Sequence, residues 1–144
     1  PLRDECFCAE AGQGATLNGE PIQVSAAPDL IHSLMVTGLP YDLLKTTQNN
    51  LDNFVRFSRH CQGVRRLGAA ALDLCYVACG RLDGYWEIRL SAWDIAAGSL
   101  IVREAGGVMT DVEGDPHVMK APFSVLAANA TIHPLMLELL QDKV

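Results

Sequence analysis

Two carboxylates in the second half of the chain are spaced for chemistry. In Ser91-Ala92-Trp93-Asp94-Ile95-Ala96-Ala97-Gly98, Asp94 stands at the mouth of a predicted helix. That helix is small and apolar, with only Arg103 and Glu104 charged before Gly106-Gly107. An acid so placed has two uses: it caps the free N–H groups of the first turn, or it turns outward and holds a metal ion. Glu87, after Tyr85-Trp86, ends a predicted strand. On its own it reads as a solvated strand-end acid.

The remaining polar residues carry weaker signals. Ser99 has no histidine near it in sequence, so it reads as a helix hydroxyl rather than a nucleophile. His32, His60, His117 and His133 are too widely spaced for a metal motif. Arg65-Arg66 either attracts phosphate or is solvated or paired beside its strand. Asp73 reads as a polar contact in an apolar helix, Asp83-Gly84 as a strand entry, and Asp111 as a turn acid near Gly114. Gly106-Gly107 marks a helix-to-strand break, since the dinucleotide pattern G-x-G-x-x-G is absent.

These residues need elements to position them, and the pattern predicts a mixed α/β domain without repeats or low-complexity tracts. Glu5–Glu10 and Ala15–Leu17 are predicted strands about a Gly12-Gln13-Gly14 turn, and Asn18-Gly19 predicts a hairpin leading into Ile22–Val24. Leu34–Thr37 reads as a buried strand ending at Gly38-Leu39-Pro40. Leu43, Leu44, Leu51, Phe54, Val55 and Ser58 give an approximate stripe that predicts a helix over 42–59. Strands over 64–67, 83–88, 108–111 and 124–128 alternate with helices over 69–79, from Asp94 towards Gly106, and over 131–140. That alternation predicts a layered sheet domain.

The chain has 144 residues and 49% hydrophobic content, enough for one domain with a sizeable core. A formal charge of −6 argues against a nucleic-acid surface. It leaves an anionic small-molecule substrate open, because a bound divalent cation inverts the local field. Apolar stretches are broken before membrane-span length, and Pro1-Leu2-Arg3-Asp4-Glu5 does not read as a signal peptide. Cys6 and Cys8 share a face of a predicted strand, and Cys75 and Cys79 share a face of a predicted helix. Neither pair has the context of a zinc knuckle. With Cys61 they are expected to be buried free thiols in a reducing compartment, which places the protein in the cytoplasm.

The segment Arg66 to Gly107, RLGAAALDLCYVACGRLDGYWEIRLSAWDIAAGSLIVREAGG, resembles the carboxy-terminal half of an inositol monophosphatase. PLRDECFCAEAGQGATLNGEPIQVS resembles the hairpin region of the same family, after its principal metal motif. The most specific features are Trp-Asp-x-Ala-Ala-Gly, the Glu-Ala-Gly-Gly downstream of it, and the upstream Gly-Ala-Ala-Ala and Trp-Glu. The resemblance implies the carboxy-terminal lobe of the layered αβαβα inositol-monophosphatase and sugar-phosphatase fold. Residues 1–28 would be a hairpin region continuing from an amino-terminal half, and 29–144 the α/β lobe. It also implies that Asp94 is a metal ligand, that Glu87 contacts substrate hydroxyls, and that the Gly68-Ala69-Ala70 turn lines the substrate pocket. The expected cofactor is Mg2+, because oxygen ligands suit it and the metal stabilises phosphoryl charge and activates water.

The chain departs from the family in one large respect. The upstream glutamate and the Asp-Pro-Ile-Asp-Gly-Thr-type motif, which supply most metal ligands, do not occur in these residues. As part of a complete enzyme, the expected reaction is Mg2+-dependent hydrolysis of a small phosphorylated polyol or sugar, with myo-inositol monophosphate leading. The partners are then the missing amino-terminal half and a second copy in a homodimer, with neither nucleic acid nor membrane. Alternatively, the segment is a catalytically incomplete lobe, acting as a split-enzyme subunit or as a non-enzymatic binding or structural protein.

Overall fold

A computed structural model of the chain describes residues 3–141. Its frame is a five-stranded sheet in the order β5-β4-β6-β8-β7. These strands are β4 (Leu34–Thr37), β5 (Gly63–Arg65), β6 (Gly84–Leu90), β7 (Val108–Thr110) and β8 (Phe123–Ala128). β5 and β6 run parallel to β4 on either side, with Thr37 level with Trp86, while β8 pairs antiparallel with both β6 and β7.

Strand side chains alternate between two faces, and that alternation builds two cores. Val36, Tyr85, Val125 and Ala127 pack with α2 (Ala70–Ala78) and α3 (Ala92–Glu104). Met35, Trp86, Leu126 and Ala128 pack on the other face with Phe57 of α1 (Leu51–His60) and Met136 of α4 (His133–Gln141). The result is a helix–sheet–helix sandwich, a mixed α/β topology in agreement with the expected class.

The Ala-Ala-Gly of the Trp-Asp motif has a packing reason. A Cβ at Gly98 would lie 2.5 Å from Leu74 Cδ1, so only glycine lets α2 and α3 approach this closely. The downstream glutamate has a separate task. Both oxygens of Glu104 accept N–H bonds at 2.9 Å, Oε1 from Gly12 and Oε2 from Gly14. This clips the antiparallel hairpin of β1 (Phe7–Glu10), β2 (Gly14–Leu17) and β3 (Glu20–Pro21) to the end of α3.

Several expectations are corrected. The helix predicted over 42–59 begins only at Leu51: residues 42–45 form turns, 46–50 are irregular, and Leu44 of the proposed stripe is 98% exposed. Asn50 adopts φ 65, which ends any continuation of helix towards the amino terminus. The hairpin return is Glu20–Pro21, and Ile22–Val24 instead lies outside any strand, with Ile22 N–H bonded to Ala15 O and Val24 N–H to Ala105 O. All five cysteines are free, but Cys6 and Cys8 are exposed, their sulfurs 3.5 Å apart on the outer side of β1, and Cys79 is half-buried. Only Cys61 and Cys75 are buried, and burial pushes the Cys75 thiol up to about 11. No helix is long and apolar enough to cross a membrane among the described residues.

Candidate functional site

β4 and β5 end side by side, level with the middle of the longer parallel strand β6. Arg66 follows β5, Gly38 follows β4, and Glu87 stands level with Gly38 on β6. The first turns of α2 and α3 reach the same place, so the crevice outside these carboxyl ends is where an α/β sheet places a ligand. A cleft of about 630 Å³ lies there, bordered by Gly38, Arg66, Gly68, Ala69, Ala70, Glu87, Trp93 and Asp94. Every residue singled out from the sequence resemblance therefore borders one cleft. A second cleft of about 570 Å³ lies between α1 and the loop before β8, and contains none of them.

Asp94 is not the helix cap itself. Ser91 holds that position, and Asp94 is the third residue of the first turn, reaching back so that Oδ2 accepts the Ser91 N–H at 2.8 Å. Oδ1 has no hydrogen-bond partner among the described residues. The two uses open to an acid at this point are thus compatible: one oxygen fixes the carboxylate and the other remains available at the cleft.

Glu87 is half-buried, and its Oε2 accepts the Tyr85 hydroxyl at 2.5 Å. Burial pushes its carboxyl up; the Tyr85 hydrogen bond opposes this, the Asp94 charge adds to it, and Arg66 pulls it down. Tyr85 is fully buried, and loss of water followed by the Glu87 charge holds its phenol firmly protonated, fit to donate. Beneath them Asp73 is also fully buried, with neither carboxylate oxygen partnered among the described residues. Burial first, then Glu87, pushes it up to about 7.

The Gly68 turn forms one wall. Gly68 adopts φ 85, a left-handed conformation natural to glycine, and delivers Ala69 and Ala70 to the start of α2. Opposite, Arg89 adopts φ 61 at a register shift of β6 and forms two hydrogen bonds with Asp42 at 2.7 and 3.0 Å. Trp93 is 80% exposed at the mouth and supplies an apolar surface.

The donor set suits a hard cation in kind but is short in number. Mg2+ takes oxygen ligands in an octahedron, and Asp94 offers one. Among the described residues no group of three or more His, Cys, Asp or Glu side chains is placed to hold a metal.

Sequence reasoning left the role of Arg66 undecided and missed Tyr85 and Gly38. Tyr85 gave no polar signal in an aromatic strand. Gly38 read as a strand terminator, yet a Cβ there would lie 2.0 Å from Glu87 Oε1, so its absence makes the space the carboxylate occupies. Asp83 accepts the Leu34 N–H through Oδ2 at 2.6 Å, Asp111 accepts N–H bonds from Glu113 and Asp115, and Ser99 bonds the Ala96 carbonyl. Those three make structural contacts outside the cleft.

Comparison with known proteins gives a consistent picture. The model of the inositol monophosphatase family matches residues 1–144. The inositol-1-monophosphatase of Synechocystis sp. is 50% identical over 133 residues, which cover 92% of this chain and 46% of that protein. The Nus factor SuhB of Escherichia coli (strain K12) is 40% identical over 144 residues, 100% of this chain and 54% of that protein. The solved inositol monophosphatase from Anabaena (Nostoc) sp. PCC 7120 superposes with a TM-score of 0.95 at 45% identity, covering 100% of this chain and 57% of that one. The chain spans about half the length of the relatives it matches.

Proposed function

The chain belongs to the inositol monophosphatase family, and from that premise we propose that it forms the substrate-facing lobe of a magnesium-dependent phosphomonoesterase. The remaining metal ligands would come from an amino-terminal half outside these residues. The observation that carries this reading is the convergence of Asp94, Glu87, Arg66 and the Gly68 turn on one cleft.

Each side chain then has a task. Asp94 would hold Mg2+ through Oδ1, with Oδ2 tied to the Ser91 N–H. When bound, the metal neutralises phosphoryl charge and lowers the pKa of water. Glu87 would accept hydrogen bonds from the hydroxyls of a polyol: the Tyr85 hydroxyl occupies Oε2 and leaves Oε1 for the substrate. Arg66 supplies positive charge where a phosphate monoester would add two negative ones. Inositol monophosphate fits this set as a small phosphorylated polyol. A homodimer and a cytoplasmic location belong to the same proposal. The short donor set favours a second reading, in which the lobe acts in binding and has no activity of its own.

The test is steady-state hydrolysis by the intact polypeptide carrying this chain, with Mg2+ and myo-inositol monophosphate. Asp94→Asn is expected to lower kcat by roughly 100-fold, the scale of losing one electrostatic group at the reacting centre. Glu87→Gln is expected to raise KM for the inositol ester and to spare an aryl phosphate that has no sugar hydroxyls. Full activity in Asp94→Asn would sink the metal role. Absence of hydrolysis in the wild type would favour the binding reading.

A further inference from the structure

We infer that Asn50 is a positioning residue for Glu87, acting from the opposite face of the sheet. The inference rests on the reading of Glu87 as the group that binds substrate hydroxyls.

Asn50 lies just before α1, outside the cleft, yet it is 5% exposed and its amide is saturated. Its Nδ2 donates to Thr37 Oγ1 at 3.0 Å and to the Gly38 carbonyl at 2.9 Å. Its Oδ1 accepts the Trp86 indole N–H at 3.0 Å and the Asn53 amide at 3.0 Å. Two donated and two accepted bonds use the full capacity of one side chain and permit only one orientation of the amide. Holding them requires φ 65, a left-handed backbone that asparagine tolerates better than most residues.

The partners of this amide are the immediate surroundings of Glu87. Trp86 precedes it, and Gly38 faces its carboxylate: a Cβ there would meet Oε1, Cδ and Oε2 at 2.0–2.2 Å. Thr37 closes the loop by donating from Oγ1 to the Trp86 carbonyl at 2.5 Å. One amide thus sets the separation between the root of the Glu87 side chain and the backbone that makes room for its tip. Phe57 stacks on Trp86 with centroids 3.9 Å apart and planes at 15°, holding the indole in place for its bond to Asn50. A helix start exposed to solvent would satisfy its amides with water; here the polar capacity goes inward, to the two strand ends that frame one carboxylate.

The experiment uses the intact, magnesium-loaded protein with two variants. Asn50→Gly keeps the left-handed backbone and removes the amide. Thr37→Val keeps the volume and removes the hydroxyl that joins Asn50 to the Trp86 carbonyl. For each, kcat and KM are measured with myo-inositol monophosphate and with 4-nitrophenyl phosphate, which gives Glu87 no hydroxyl to bind, and the crystal structure of each variant is solved. The expected result is a KM for the inositol ester raised roughly 10-fold in Asn50→Gly and less in Thr37→Val, since small misplacements carry effects of this size. Aryl ester kinetics should be unchanged, and the Glu87 carboxylate displaced. Proportional loss on both substrates, or a Glu87 that stays in place in the crystals, overturns the inference. If Asn50→Gly fails to fold, Thr37→Val decides alone. A wild type that treats the two esters alike refutes the hydroxyl-binding role of Glu87, and the position of that side chain in the variant crystals still decides whether Asn50 sets it.

Discussion

Glu87 has a buried polar group to either side of its strand, and the two could hardly be more different. On the α1 face Asn50 makes four hydrogen bonds and leaves none of its capacity unused. On the α2 face Asp73 is equally buried and makes none among the described residues. A satisfied buried amide fixes geometry and adds stability, whereas an unpartnered buried carboxyl can only persist by holding its proton. One face thus holds a side chain that places Glu87, and the other a carboxyl that the Glu87 charge helps to keep protonated.

The contrast is broken most severely by Asn50→Ala. The Trp86 indole and the Gly38 carbonyl would lose their Asn50 partner, so urea denaturation should show a loss of about 2–6 kcal/mol, from about 1–3 for each buried group left unpaired. A loss below about 1 kcal/mol would show that the network adds little. Asp73 should behave in the opposite sense. Its folded pKa of about 7 stands above the ordinary 3.8, so the folded state keeps a proton that the unfolded chain releases. Stability from this group is complete below pH 4, falls as the pH rises towards 7, and stays low above it. Asp73→Asn should flatten that slope and stabilise the protein at pH 8 by roughly 2–4 kcal/mol, the upper figure being about three pKa units at 1.36 kcal/mol each. An unchanged pH profile would mean that Asp73 already has a partner in the intact protein.

Smaller effects refine the same comparison. Gly38→Ala should cost about 1–3 kcal/mol, as overpacking does, and its crystal structure should show Glu87 rotated away from the strand end. Glu104→Gln touches neither buried group. It should lower Tm slightly by weakening the charge-assisted bonds to Gly12 and Gly14.

Much of the frame was legible from residue pattern. Leu34–Thr37 is bounded as expected because an apolar run meets Gly-Leu-Pro, whereas α3 ends near Gly106 as expected but starts at Ala92, behind the Ser91 cap, rather than at Asp94. The helix over 42–59 misled because leucines at helical spacing said nothing of the backbone at Asn50, where one left-handed residue separates turns from helix. The Asn49-Asn50 pair was the available boundary signal, as asparagine favours helix starts. In the cleft, Asp94 and Glu87 are singled out by the family resemblance, and both border it. Asn50 is not singled out, since a buried amide and an exposed loop amide look alike in sequence. Asp73 was noticed as a lone acid in an apolar helix, but its isolation depends on packing between α2 and β6 that no local pattern encodes.

The hairpin clip has a mechanical consequence. α3 is thirteen residues long, about 20 Å at 1.5 Å per residue, with Asp94 in its first turn and Glu104 at its last residue. Two glycine amides grip that far end, and Gly98 seats the middle against Leu74. The helix is a strut pinned at its base: it cannot slide along its axis without pulling Glu104 off the loop. How far Asp94 projects into the cleft is therefore gauged from the opposite end of the helix, by a turn outside the cleft.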